Sequence, residues 1–210
     1  LTLRFRLADI ASWLGLVAER DGQFTEALAR FGEMATRLPG NPEFTDAQAV
    51  SDPRRIKIYD AAEAKGTPVN MHVSLVEADT RAAIEKIVQT HPHVPFIIAH
   101  GGGGLEPAAL EQLIVAHPNI HFDLSGPLSP QRALQADGVL KPDWRGLFER
   151  HPDRFLWAMD VQSPQSVQTI PTRVATARKA FADLPLATEE AIGHGNIERL
   201  LKGCGGLTAR

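Results

Sequence analysis

Hydrophobic residues in this chain follow two alternating periods. Short apolar runs that end in a histidine or an aspartate predict strands: VNMHV (69–73), FIIAH (96–100), IHFDL (120–124) and RFLWAMD (154–160). Between them, apolar residues recur at helical spacing. Asp52 followed by Pro53 predicts a helix start, because proline is suited to the first helical position. Ile56, Tyr59 and Ala62 carry that helix to Gly66, a C-cap glycine, and Pro68 bars its continuation. Further helices are predicted over 77–90, with Ala83, Ile84, Ile87 and Val88 on one face, over 107–116 and over 143–150. Each of these ends in His-Pro: HPH, HPN or HPD. The stretch 167–201 reads as helical throughout. Before residue 52, Ile10, Trp13, Leu14 and Val17 share a helical face, 27–35 reads as a strand ending near Glu33, and 1–7 alternates weakly like a strand.

Strands alternating with helices imply an α/β fold with a parallel sheet. The runs look apolar on both faces, so the expectation is a sheet covered on both sides. Two architectures fit: an open doubly wound sheet and a (β/α)₈ barrel. Both bind ligands at the C-terminal ends of their strands.

Composition narrows the picture only slightly. A chain of 210 residues with 43% hydrophobic content can bury a sizeable core, and the expectation is a single domain over 1–210. A net charge of -3 supplies no basic surface for nucleic acid or anionic lipid, which leaves a small-molecule substrate as the expected partner. No window approaches the run of about 18 apolar residues that a membrane helix needs. The single cysteine, Cys204, excludes an internal disulfide framework.

The chemistry lies in how the strands end. His72, His100, Asp123 and Asp160 close the four clear runs and Glu33 the softer one, and a parallel sheet brings such residues to one rim. Imidazole nitrogens and carboxylate oxygens gathered there suit a divalent metal, zinc foremost. One carboxylate left partly free could take a proton from water whose pKa a metal has lowered to about 7. A lone histidine at a strand end is ordinarily a polar residue meeting solvent; the repetition over successive strands is what carries the metal reading. After His100, four glycines let the backbone pass close to a ligand, though GGGG has neither the spacing of a dinucleotide fingerprint nor a P-loop lysine.

The other histidines sort apart. His91, His117 and His151 precede proline at helix C-termini, where an imidazolium favours the helix dipole, and read as structural. His93 lies seven residues before His100, roughly 20 Å along an extended strand, too far to share an ion. His121 points the same way as Asp123, one layer deeper, and His194 is expected on the surface.

PVNMHV, PFIIAHGGG, NIHFDLSG, HPDRFLWAMD and GHGNIERLL together resemble the second half of the amidohydrolase superfamily, most nearly its amidohydrolase-related TIM-barrel metal-dependent hydrolases. The resemblance covers about 30–201 in the right order. It implies a barrel in which His72 ligates the metal, and His100 ligates a second metal or contacts the reacting water. Asp160 would then ligate the metal and act as general base. Glu33 resembles a position where some relatives carry a further ligand, and Gly195-Asn196 matches a structural signature of the last helix.

The chain departs from the pattern in two places. It has no His-x-His pair in an N-terminal strand, and it reads WAMD where relatives tend to have GSD. The expectation is therefore an incomplete (β/α)₈ TIM-barrel type of about five to six parallel strands, truncated at its N-terminus.

The resemblance implies a metal-activated water attacking a C–N or C–O bond, with zinc as the expected ion. A decarboxylase using the same site is the alternative within the family. Substrate choice falls to the loop 125–144, where Ser125 and Arg132, with Asp123 just before, are the candidate contacts and Lys141 is a further cation. Two other classes stand beside this reading. One is a non-catalytic partial barrel whose sheet edges favour self-association into a homo-oligomer. The other is a nucleotide-binding open sheet, which the missing glycine fingerprint argues against.

Overall fold

Four parallel strands, β1 (Val69–Met71), β2 (Phe96–Ile98), β3 (Ile120–Asp123) and β4 (Phe155–Leu156), lie side by side in chain order. They are seen in a computed structural model that describes residues 46–129, 131–161 and 167–202, all within one compact unit, Thr45–Arg210. The elements expected over 1–7, 10–17 and 27–35, with Glu33, lie outside the described residues.

The strand order never reverses, unlike that of a doubly wound sheet, which turns back at a switch point. Every connection steps to the next strand, as in the wall of a barrel. Register sets Val69, Phe96 and Ile120 level with one another, and Phe122 level with Phe155.

Side chains alternate across a strand, so this register produces two faces of different character. On one, Met71, Phe96, Ile98, Ile120, Phe122 and Phe155 are buried in the main core. The helices α1 (Asp46–Val50), α2 (Pro53–Lys65), α3 (Ala78–Thr90), α4 (Pro107–Ala116), α5 (Pro142–Arg150) and α6 (Ile170–Phe181) all contribute to that same core, through residues such as Ile84, Leu110, Trp144 and Phe181. The other face carries Asn70, Ile97, His121, Asp123 and Leu156. Here Ile97 and Leu156 form a small apolar cluster, with Ile197 and Leu200 from the helix Asn196–Lys202. The sheet is covered on both sides as expected, with β2, β3 and β4 buried throughout, but only one face is wholly apolar: the other is mixed, the division a barrel makes between its packed outside and a lumen that turns polar toward the rim.

Local signals explain the element boundaries. Asp52 caps α2 by accepting the Arg54 amide at 2.8 Å and also pairs with the Arg54 guanidinium, which holds its carboxyl down at about 2. Gly66 ends the helix at φ 61, and the Thr67 amide returns to Ala62 O at 3.0 Å. His91, His117 and His151 are each the C-cap residue of their helix, as expected.

The 167–201 stretch is helical but broken. After α6 come α7 (Leu186–Glu190), a π-helical turn (Ala191–Gly195) and α8 (Asn196–Lys202). Trp157 N donates to Ile192 O at 2.8 Å, so the chain after Leu156 hands its amide to that turn and leaves the sheet. The strand predicted through Asp160 therefore stops at Leu156, and Asp160 stands in irregular chain beyond it.

Candidate active site at the C-terminal rim

The most constrained backbone at the rim is the turn after β2. His100 sits at φ 56, ψ 29, the one non-glycine residue with positive φ among the described residues, followed by Gly101 at φ 57 and Gly102 at φ 72. A left-handed conformation costs an L-residue about 1–2 kcal/mol. It persists only where the surroundings over-determine it. Here they do. The His100 amide donates to Asp123 Oδ1 at 2.9 Å, its carbonyl accepts from Arg132 Nη1 at 3.0 Å, and its ring Nδ1 lies 2.8 Å from Ser125 Oγ. A side chain at Gly101 would bring its Cβ to 2.6 Å from Pro127 Cγ, so the first glycine of the run is required by packing as well as by φ.

Asp123 organises this turn from the neighbouring strand. Its Oδ1 accepts the His100 amide, the Ser125 amide at 3.0 Å and the Ser125 hydroxyl at 2.5 Å. The residue is buried. Arg132 completes the scaffold: Nη2 donates to Leu105 O at 2.9 Å and to Gly101 O at 3.5 Å, and the guanidinium lies 5.4 Å above the Trp144 ring. Its Nε is buried without a hydrogen-bond partner among the described residues. Asp123, Ser125 and Arg132, expected as loop contacts for substrate, thus all have bonds to the His100 turn.

The rim pattern read from the strand ends brings three of the expected residues together around His100. Its ring meets that of His72 edge to face, centroids 4.8 Å apart, and its Nε2 stands 3.9 Å from Asp160 Oδ2. His72 is exposed, one residue past β1, while His100 and Asp160 are partly exposed. Two zinc bonds end to end, nitrogen and oxygen, span roughly 4.2 Å, so His100 Nε2 and Asp160 Oδ2 are close enough to share an ion. Among the described residues no three His, Cys, Asp or Glu side chains are grouped closely enough to hold one. The donor types fit a divalent metal, but the described residues alone do not complete a ligand set.

One contact had no signal in the sequence. Arg173 on α6 donates from Nη1 to the Asp160 carbonyl at 3.3 Å, tying the irregular segment to a helix. His121, expected one layer below Asp123, is buried, with Nδ1 unpartnered among the described residues; burial first, then Arg154 and Arg199, lower its pKa to about 4. His194 is exposed and pairs with Glu198, as a surface residue should.

Residues 11–203 match the family model described as amidohydrolase. The chain belongs to the amidohydrolase family. No curated protein sequence matches this chain. Among solved structures it is similar to an uncharacterised TIM-barrel protein of Bordetella bronchiseptica (20% identity, TM-score 0.52, covering 74% of this chain and 53% of that one). It is also similar to amidohydrolase 2 of Bifidobacterium longum subsp. infantis (23%, TM-score 0.50, 73% and 57%). A third is an amidohydrolase of Burkholderia multivorans solved with bound zinc (17%, TM-score 0.53, 82% and 69%). These likenesses establish the TIM-barrel type of the fold. The chain spans little more than half the length of the first two.

Proposed function

We propose that this chain is a metal-dependent hydrolase whose site is the rim around His100, with His72, His100 and Asp160 contributing to the metal site and zinc as the ion. One observation carries the reading: the left-handed His100, strained and held by Asp123, Arg132 and Ser125, has its ring beside both His72 and Asp160. Strain of this kind is kept where a side chain must point in a direction that ordinary backbone does not allow. A bound divalent cation supplies the polarisation that makes water nucleophilic near neutral pH. The chain's own residues do the remaining work. Asp160 accepts the proton from the attacking water as a C–N or C–O bond of a small substrate is broken, and the Asp123–Ser125–Arg132 scaffold keeps the His100 ring in place.

The test is metal uptake by the purified chain, measured by elemental analysis after zinc loading and removal of free ion. We expect about one tightly held zinc per chain. His72→Ala, His100→Gln and Asp160→Asn should each lose it with helical circular dichroism unchanged, while His91→Ala retains it. Loss of zinc from His91→Ala to the same degree would overturn the division of the histidines. No zinc in the unaltered chain would favour a non-catalytic partial barrel.

A further inference from the structure

We propose that Ser125 sets the tautomer of His100, and that Asp123 fixes the direction of the Ser125 hydroxyl. This rests on the reading of His100 as a rim donor and says how its nitrogen is made available. Asp123 Oδ1 already accepts two backbone N–H groups, from His100 at 2.9 Å and Ser125 at 3.0 Å, so it faces them as an acceptor. The Ser125 hydroxyl, 2.5 Å from the same oxygen, therefore gives its hydrogen to Asp123. That leaves only lone pairs on Oγ for the His100 Nδ1 at 2.8 Å, and Nδ1 must carry a hydrogen to bond with them.

In the neutral ring the consequence falls on the other nitrogen. Nε2 is left as an acceptor, and it is the atom that faces Asp160 Oδ2 across 3.9 Å. A free histidine side chain favours the opposite form, with its hydrogen on Nε2, in which no lone pair would point into that gap. Reversing the Ser125 hydroxyl would break its bond to Asp123, and turning Asp123 away would release both amides that hold the turn. Ser125 is therefore a positioning residue, acting through His100. Partners of this kind fix ring orientation and tautomer at metal sites, and their loss lowers metal affinity about 10- to 100-fold.

The test reads the tautomer directly, in metal-free protein. Two-bond proton–nitrogen correlation spectra of the ¹⁵N-labelled chain, at a pH where the ring is neutral, identify His100 as the signal missing from His100→Gln. We expect the Nδ1–H form in the unaltered protein, a switch to the Nε2–H form in Ser125→Ala, and return of the Nδ1–H form in Ser125→Thr, which keeps a hydroxyl. An Nε2–H ring in the unaltered chain, or a tautomer that Ser125→Ala leaves unchanged, overturns the proposal. Zinc uptake measured on the same samples separates the two readings. If the chain takes up no zinc yet shows the Ser125-dependent Nδ1–H ring, the metal assignment fails and the role of Ser125 is upheld.

Discussion

The two ends of the sheet use the same residue types for opposite ends. At the N-terminal end, polar side chains are matched to backbone and to each other. The Asn119 amide donates to the carbonyls of Val88, His91 and Val94 at 3.2, 3.0 and 3.1 Å, and the Asn196 amide to those of Pro152 and Phe155 at 2.7 and 2.8 Å. His91 and His151 sit at helix ends against Asp60 and Glu111, and Arg150 with His151 holds the Glu111 carboxyl at about 2. At the C-terminal end, His100 is bent into a disfavoured conformation so that its ring meets another imidazole and a carboxylate. Barrels divide their labour in this way, with stability at the bottom and chemistry at the top. The position of a histidine along its strand or helix therefore says more about its role than its exposure does.

The largest effect that would test this division comes from the bottom. Asn119→Ala removes the side-chain donor that three carbonyls share, of which that of His91 keeps the Val94 amide at 3.2 Å, and urea unfolding should register a loss of about 2–3 kcal/mol, with zinc uptake unchanged. A parallel fall in zinc uptake would show that the two ends are not independent.

His121, between the ends, gives the next effect through pH. Its unfolded ring takes up a proton near 6.5 and its folded ring only near about 4, so the unfolded state binds more protons between those values. The stabilisation is thus fully present above that upper value and is lost as the pH falls toward the lower one. Unfolding curves at about pH 7 and about pH 5 should differ by about 2 kcal/mol more in the unaltered chain than in His121→Asn. An equal acid loss in both would mean that His121 is not the group responsible.

The smallest effect sharpens the comparison at the top. Glycine is at ease at φ 56 and alanine is not, so His100→Gly should exceed His100→Ala in stability by about 1 kcal/mol, with both devoid of zinc. Equal stabilities would mean that the turn relaxes once the imidazole is gone.

Much of this was legible in the sequence because it is local. Asp52-Pro53 and Gly66 act within one turn of their own helix, and the His-Pro stops act at helix ends, so the pattern of residues carries them without help from the fold. The arrival of His72 and His100 at one rim follows from a parallel sheet, whereas Asp160 reaches it through irregular chain past the end of β4. What was not legible depends on distant chain. β4 stops at Leu156 because the Ile192 carbonyl, more than thirty positions on, takes the Trp157 amide. The strain on His100 is equally hidden, since the glycines after it announce a tight turn but the bonds that hold it come from Asp123 and Arg132. The mixed inner face was half legible: His121 and Asp123 share one side of IHFDL, but an all-apolar run such as FII does not reveal which positions face a lumen.

The Arg132 guanidinium has a consequence for how such a protein diversifies. One planar cation, resting on Trp144, joins the segment that follows β3 to the carbonyls of the His100 turn. The short excursion beyond it, pinned by backbone pairing of Leu134 with Leu140, hangs outside that joint. Sequence can therefore be exchanged or lengthened between those two leucines while the rim keeps its shape, whereas a graft that replaces Arg132 brings the turn with it. For anyone recombining loops to reach new substrates, that arginine marks where the interchangeable part begins.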